Sequence, residues 1–431
     1  MIFFLISVVI LITALTSFTM PWVGVIAYNV VSLLQPQSIW FWAFQGFSVF
    51  KIFAGISFFS FIIAIAKKSV DFSILKNKQN LAILIIFIMV HLSDIFSPFD
   101  VYYGVFGAKF LFATLNPVII FYFITQLTLN GNENHLRYMI YAFIGILLYY
   151  IYWSNDAYFN FDVTKFTQQR LNGPLYSPYF DENKFAVLFV IGFPFLVFGY
   201  FYTKKIIPKL GLGIAAALSL HSIFLTGSRG GLLAIGICTL MIAKLIQSKK
   251  YSIIMILAFI IALSLYGGSV LFRSEQTINA AQSEEEVNPR LRSWTIGYEI
   301  IKQYPILGVG ASRFQHASIV MFPEFNSSYV AHNTFFQIAS NSGLLAGILY
   351  LWIYYYNIKI FRRAVKNNIS QYPFLDYANK SIFVSLSGFY FCSIFLDMLI
   401  FEGYYFLLIL SITTHHIFLR KSSNQTVASK K

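Results

Sequence analysis

Long apolar runs alternate with short polar breaks from the first residue to residue 419. Runs close to the roughly 20 residues that cross a hydrocarbon core cover approximately 1–20, 47–66, 80–96, 109–129, 138–153, 184–203, 210–226, 231–247, 251–270, 333–356, 378–397 and 401–419, with a shorter one at 21–36. This pattern predicts an all-α, polytopic integral membrane protein of about 12 transmembrane helices, because a helix satisfies its own backbone in lipid. The longest break divides the chain into N-terminal spans over 1–270, a large loop over 271–331, C-terminal spans over 332–419 and a polar tail over 420–431. The uncharged opening, 1–36, leaves the exact number of spans open, and with it the side of the N-terminus. It has no basic leader and no small-residue cleavage site, and is expected to stay as a helix rather than be removed as a signal peptide.

Charge orients the spans. Lys67, Lys68, Lys76 and Lys78 form one basic break, Lys204, Lys205 and Lys209 another, Lys249 and Lys250 a third. Lys359, Arg362, Arg363 and Lys366, then Arg420, Lys421, Lys430 and Lys431, continue the series. Basic loops stay in the cytoplasm, so the C-terminus is expected inside and 97–108, 154–183, the 227–230 turn and 271–331 outside.

Composition agrees. The chain is 58% hydrophobic and 11% charged, against about 25% charged in soluble proteins. A net charge of +14 would invite nucleic acid, but most lysines lie on the cytoplasmic breaks and serve orientation, so no nucleic-acid partner is expected. The positive charge left outside is biased toward arginine: Arg170, Arg229, Arg273, Arg290, Arg292 and Arg313 are six of the ten arginines. A guanidinium fork matches phosphate oxygens at two points where an ammonium offers a single charge, which points to an exported, phosphate-bearing ligand. The competing reading pairs these arginines with the external acids Asp156, Asp162, Glu275, Glu284, Glu285 and Glu286. Cys238 and Cys392 fall in spans and read as packing residues; nothing in the sequence implies a metal site or a cofactor.

Within 271–331, residues 291–303 alternate apolar and charged positions as a short amphipathic helix lying on the membrane interface would, with Trp294 as its anchor. Tyr304-Pro305-Ile306-Leu307-Gly308-Val309-Gly310 breaks that helix and reads as a turn toward the bilayer; its Gly-x-Gly lacks the third glycine and the preceding strand of a nucleotide loop. Gly227-Ser228-Arg229-Gly230-Gly231 opens a span, where unpaired backbone N–H groups and the helix dipole favour anions. His332-Asn333 opens another with the one side chain that titrates near neutrality. Asp181 and Asn183 precede a span and are read as a helix cap, with contact to sugar hydroxyls as the alternative. Glu299 reads as part of a solvated helix face. Of the remaining histidines, His91 and His221 lie within spans, His415 and His416 near the cytoplasmic end, and His316 outside the motifs.

Gly-Ser-Arg229-Gly-Gly, then Arg290-Leu-x-x-Trp294 with Tyr304-Pro305-x-x-Gly308-x-Gly310, then His332-Asn333 and Asn341-Ser342-Gly343-Leu344 resemble, in order and spacing, the O-antigen ligase and polymerase superfamily. Gly173-Pro174 and Asp181-Glu182-Asn183-Lys184-Phe185-Ala186 are also similar to that family. Pro21-Trp22-Val23-Gly24 with Gln35-Pro36 resembles a branch described as O-glycosylation ligases of exosortase systems. The resemblance implies about twelve helices with one large periplasmic loop, and a glycosyltransferase at the periplasmic face of the inner membrane. Its donor would be a glycan on undecaprenyl pyrophosphate and its acceptor a hydroxyl of a glycolipid, such as lipid A-core, or of a protein. The family's ligases are regarded as metal-independent and inverting. Carried over by motif, Arg229 and Arg290 would hold the pyrophosphate, with Arg292 beside the motif as a further contact, and His332 would act on the acceptor. Gly227, Ser228, Gly230, Asn333, Asp181, Asn183 and Trp294 would support them. The related polymerase, which extends a glycan on its own carrier, is the alternative reading. A lipid-linked sugar flippase is a second, disfavoured because charge gathers at one face rather than near the midplane.

Overall fold

The computed structural model describes residues 2–44, 47–100, 107–266, 268, 289–325 and 328–428. Among them, seven helices are long and apolar enough to cross a membrane: Val49–Ala66, Lys78–Ile95, Ala108–Leu129, Glu133–Phe159, Glu182–Tyr202, Ile206–Thr226 and Leu344–Lys366. Ile2–Thr19, Pro21–Leu34, Arg229–Leu245, Lys249–Tyr266, Pro373–Cys392 and Glu402–Ala428 pack with them. The chain is a helical membrane protein. Extended pairing among the described residues is confined to Phe166–Thr167 and Arg170–Leu171, antiparallel, with Phe166 opposite Leu171.

The Glu182–Tyr202 helix is apolar on every side and buried from Phe185 to Gly199, as a helix at the centre of a bundle must be. It packs against Ile206–Thr226 and Pro373–Cys392. Polar side chains inside the bundle answer one another: Gln79 Nε2 donates to the Tyr122 hydroxyl (2.9 Å), Tyr122 to Asn80 Oδ1 (2.6 Å) and Asn357 Nδ2 to Gln79 Oε1 (2.8 Å). Such pairing is what lets amides persist where water is scarce.

The two ends of the bundle differ in charge. At one, Lys67 Nζ donates to the carbonyls of Phe18 and Thr19 (2.6 and 3.1 Å), and Asp71 Oδ2 accepts from His416 Nε2 (2.7 Å) and Arg420 NH2 (2.6 Å). Lys421 pairs with Glu133 there. The turn between the first two helices therefore lies at this basic end, and Gln35, after the second, reaches the opposite end, where its Nε2 donates to Glu402 Oε2 (3.0 Å).

Three expected boundaries move. The run 333–356 is not one helix but two, Thr334–Ser342 and Leu344–Lys366, because Gly343 takes φ +92°, outside the helical region. Gly347 faces Ala339 and Phe335, so the short helix folds against the long one. The run 378–397 is helical only to Cys392, and 393–401 is a loop stitched to residues 332–337. The tail expected from 420 is helical to Ala428.

The described part of the large loop builds its own small core. Pro289–Gln303 and Phe314–Met321 bury Ile296, Ile300, Phe314 and Ala317 with Val309 and Ala331. Ser97 Oγ donates to the Val309 carbonyl (2.5 Å), and Arg313, almost wholly buried, pairs with Asp94. Arg273, Glu275 and the Glu284–Glu286 run lie outside the described residues.

Candidate functional site

Two residues, Gly227 and Ser228, connect Ile206–Thr226 to Arg229–Leu245. The turn needs a left-handed residue, and Gly227 supplies it at φ +59°. Ser228 then caps the next helix, its Oγ accepting from the Gly231 amide (3.2 Å). Gly231 lies against Ala186 closely enough that a Cβ there would meet the alanine methyl at 2.8 Å, which holds the helix start against the central helix. Arg229 occupies the first helical position and is exposed.

Arg290 reaches the same region from the loop. It is half-buried, with its guanidinium 5.9 Å from the centre of the Phe395 ring, and the same ring lies 3.4 Å from where a Cβ on Gly230 would be. Burial first, and the charge of Arg229 second, hold the Arg290 pKa below its ordinary value. His332 is half-buried beside them; burial, then the charge of Arg290, lower its pKa, against the opposing pull of Asp181. Of the three residues singled out from the motifs, Arg290 thus lies within reach of the charge of Arg229, and His332 within reach of that of Arg290.

The backbone at His332 is unusual. It takes φ +47°, a left-handed conformation uncommon for a residue with a Cβ. Asp397, on the 393–401 loop, meets this bend: its carboxylate accepts the amide of Asn333 (3.1 Å) and also that of His332. Two successive N–H groups thus converge on one carboxylate, an anion-binding hollow of backbone amides. Burial pushes the Asp397 carboxyl up to about 6, against these two amides and the nearby charge of Lys184. Thr334 completes the stitch: its amide donates to the Ser393 carbonyl (2.8 Å) and its hydroxyl to the Leu396 carbonyl (2.6 Å). Asn333 caps the following helix by accepting from Phe336 N (3.1 Å).

Other residues read from the sequence have structural positions. Asp181 caps the central helix, its carboxylate accepting from the Asn183 and Lys184 amides (2.9 and 3.0 Å). Asn183 Oδ1 accepts from Arg170 NH2 (2.7 Å), while Arg170 pairs with Glu182 and donates from Nε to the Thr226 carbonyl (3.0 Å). Arg170 and Arg313 are thus arginines held by acids, as the competing reading had it, although by Glu182 and Asp94. Asp156 and Asp162 instead meet Lys165 (3.6 and 3.3 Å). Trp294 stacks on Phe336 with ring centres 6.3 Å apart, between two helices of the protein. Arg292 points away from Arg290, onto the Phe325 ring (4.8 Å) and the Tyr329 hydroxyl (3.0 Å). Glu299 meets Lys302 (3.6 Å).

The Gly308-Val309-Gly310 turn docks on the helix break: Val309 N donates to the Ser340 carbonyl (2.9 Å) and Gly310 N to that of Asn341 (3.0 Å). Gly308, at φ +68°, lies so near these carbonyls that no side chain fits. This turn fixes the short helix that follows His332 and offers no phosphate loop. Asp397, Lys184 and Phe395 were not singled out as site residues from the sequence. Among the described residues, no group of three or more His, Cys, Asp or Glu is arranged to hold a metal ion.

Residues 214–351 match the family model described as O-Antigen ligase. The resemblance to the O-antigen ligase superfamily therefore holds over the stretch that contains Arg229, Arg290 and His332, while Asp181, Lys184 and Asp397 lie outside it. No curated protein matches the chain.

Proposed function

We propose that this membrane protein is a glycan ligase, moving an oligo- or polysaccharide from undecaprenyl pyrophosphate to an acceptor hydroxyl of a glycolipid or a protein. The observation that carries this reading is the convergence of Arg229, at a helix start, with Arg290 and a backbone-fixed His332 at the end of the bundle opposite the basic loops. By the positive-inside rule, that end faces the periplasm of an inner-membrane protein.

The chemistry follows from charge. The acceptor oxygen bonds to the anomeric carbon from the face opposite the phosphate, and the bond from that carbon to the phosphate oxygen breaks. Its electron pair leaves with the polyprenyl diphosphate, inverting the anomeric centre. Negative charge grows on the leaving phosphate, where fixed guanidinium groups and helix-start N–H groups in a water-poor site stabilise it most. Depressed below its ordinary pKa, His332 is neutral near pH 7 and takes the acceptor's proton as the oxygen attacks. No metal is needed in this scheme, because the arginines supply the positive charge.

Glycan analysis of a deletion strain separates this reading from the related polymerase. Carrier-linked polymer that accumulates without being attached identifies a ligase; single repeat units on the carrier identify a polymerase.

A further inference from the structure

The Pro289–Gln303 helix presents two arginines in opposite directions. At about 100° per residue, positions 290 and 292 lie nearly on opposite faces, and Arg290 turns to Phe395 while Arg292 turns to Phe325 and Tyr329. Arg292 is half-buried, and no acid among the described residues pairs with it. One ring face and one phenol hold the guanidinium, no described carboxylate answers its charge, and a partly buried cation draws an anion. Arg170 and Arg313, by contrast, are each matched by a carboxylate.

The place of this cation says which anion. Tyr329 is three residues before His332 along the irregular segment that enters the site, and Ala331 between them packs with Ile296 and Ile300 of the arginine helix. A molecule whose hydroxyl is at His332 can lie along that segment, on the side away from Arg229 and Arg290. We infer that Arg292, seated on Phe325 and Tyr329, is a binding site for an anionic group, phosphate or carboxylate, on the acceptor sugar. This rests on the glycan-transfer reading above: the donor pyrophosphate takes Arg229 and Arg290, and Arg292 selects an acidic acceptor.

The test uses the full-length protein in lipid nanodiscs without donor, and three probes: an alkyl glucoside 6-phosphate, the matching glucuronide and the neutral glucoside. Wild type is expected to bind one or both acidic probes more tightly than the neutral one, by about 10- to 100-fold, the range for a hydrogen-bonded charged group. Preference for the phosphate over the glucuronide, or the reverse, identifies the group. Arg292→Gln is expected to abolish the preference while keeping neutral-probe binding, and Arg292→Lys to retain part of it. Arg290→Gln, with the donor site altered, is expected to keep it. Equal binding of all probes by wild type, a preference that survives Arg292→Gln, or one lost in Arg290→Gln instead, overturns the inference. Loss of neutral-probe binding in Arg292→Gln makes the residue structural and overturns it as well. Because binding is read without donor, a failure of transfer itself appears only in a separate turnover assay and is not confused with these results.

Discussion

Asp397 accepts the backbone amide of Asn333 at 3.1 Å and holds the adjacent His332 at φ +47°. A carboxylate remote in sequence thereby decides where the histidine ring stands. Asp397→Asn keeps one acceptor oxygen but loses the charge that drew two amides, and hydrogen bonds to a charged group are worth about 1.5–3 kcal/mol. Turnover is expected to drop by about 10–100-fold with donor KM little changed. Steady-state kinetics on the purified variant check this, and full turnover would remove Asp397 from the site.

The rate should depend on pH through His332. Its folded pKa lies below the ordinary value, so the neutral base persists into mildly acidic medium and the acid limb of kcat/KM falls below about 6.5. Asp181 raises that pKa and Arg290 lowers it. Asp181→Asn, which still caps the helix, is expected to move the limb to lower pH; a move to higher pH, or none, would contradict the electrostatic picture. Asp397, at about 6, loses its charge in the same direction and steepens the decline.

Lysine should not replace arginine at the donor site. Arg229→Lys and Arg290→Lys keep the charge but lose the two-point phosphate contact, and each is expected to lose most of its turnover. Arg273→Lys is expected to be nearly silent. A chelator is expected to leave the wild-type rate intact. Full activity in both lysine variants, or a rate restored to chelated enzyme by magnesium or manganese, would contradict phosphate binding by arginine alone.

Orientation is open to direct chemistry. With Cys238 and Cys392 replaced, a single cysteine at the exposed Thr295 is expected to react with a membrane-impermeant thiol reagent in intact spheroplasts. One at the exposed Asn367 is expected to react only after permeabilisation. The reverse pattern would turn the protein over.

The arginines and the histidine were legible because each opens an apolar run or breaks a polar one, and because their order is a motif. Asp397 was not, because Phe395-Leu396-Asp397-Met398 reads as the end of a span and its partner amides are 64 residues upstream. Gly343 stood in a quoted motif, yet one apolar run continued through it; the break depends on Leu344 N bonding the Pro305 carbonyl (2.9 Å), a tertiary contact. Arg292 was separable from Arg290 by helical period alone, since two residues turn the side chain to the far face. Lys184 was quoted only as part of a stretch similar to the family, and its nearness to Asp397 comes only from the fold.

The most direct measurement is transfer in vitro with purified protein, a polyprenyl pyrophosphate-linked glycan and a hydroxyl acceptor, comparing wild type with His332→Ala. A general base contributes about 10²–10⁴-fold, and its loss belongs to turnover rather than donor affinity. Wild type is expected to release polyprenyl diphosphate as the glycan is attached, and His332→Ala to bind donor normally while turning over at about a hundredth of the rate or less. A His332→Ala protein that retains more than about a tenth of wild-type turnover would contradict the assignment of His332 as the base.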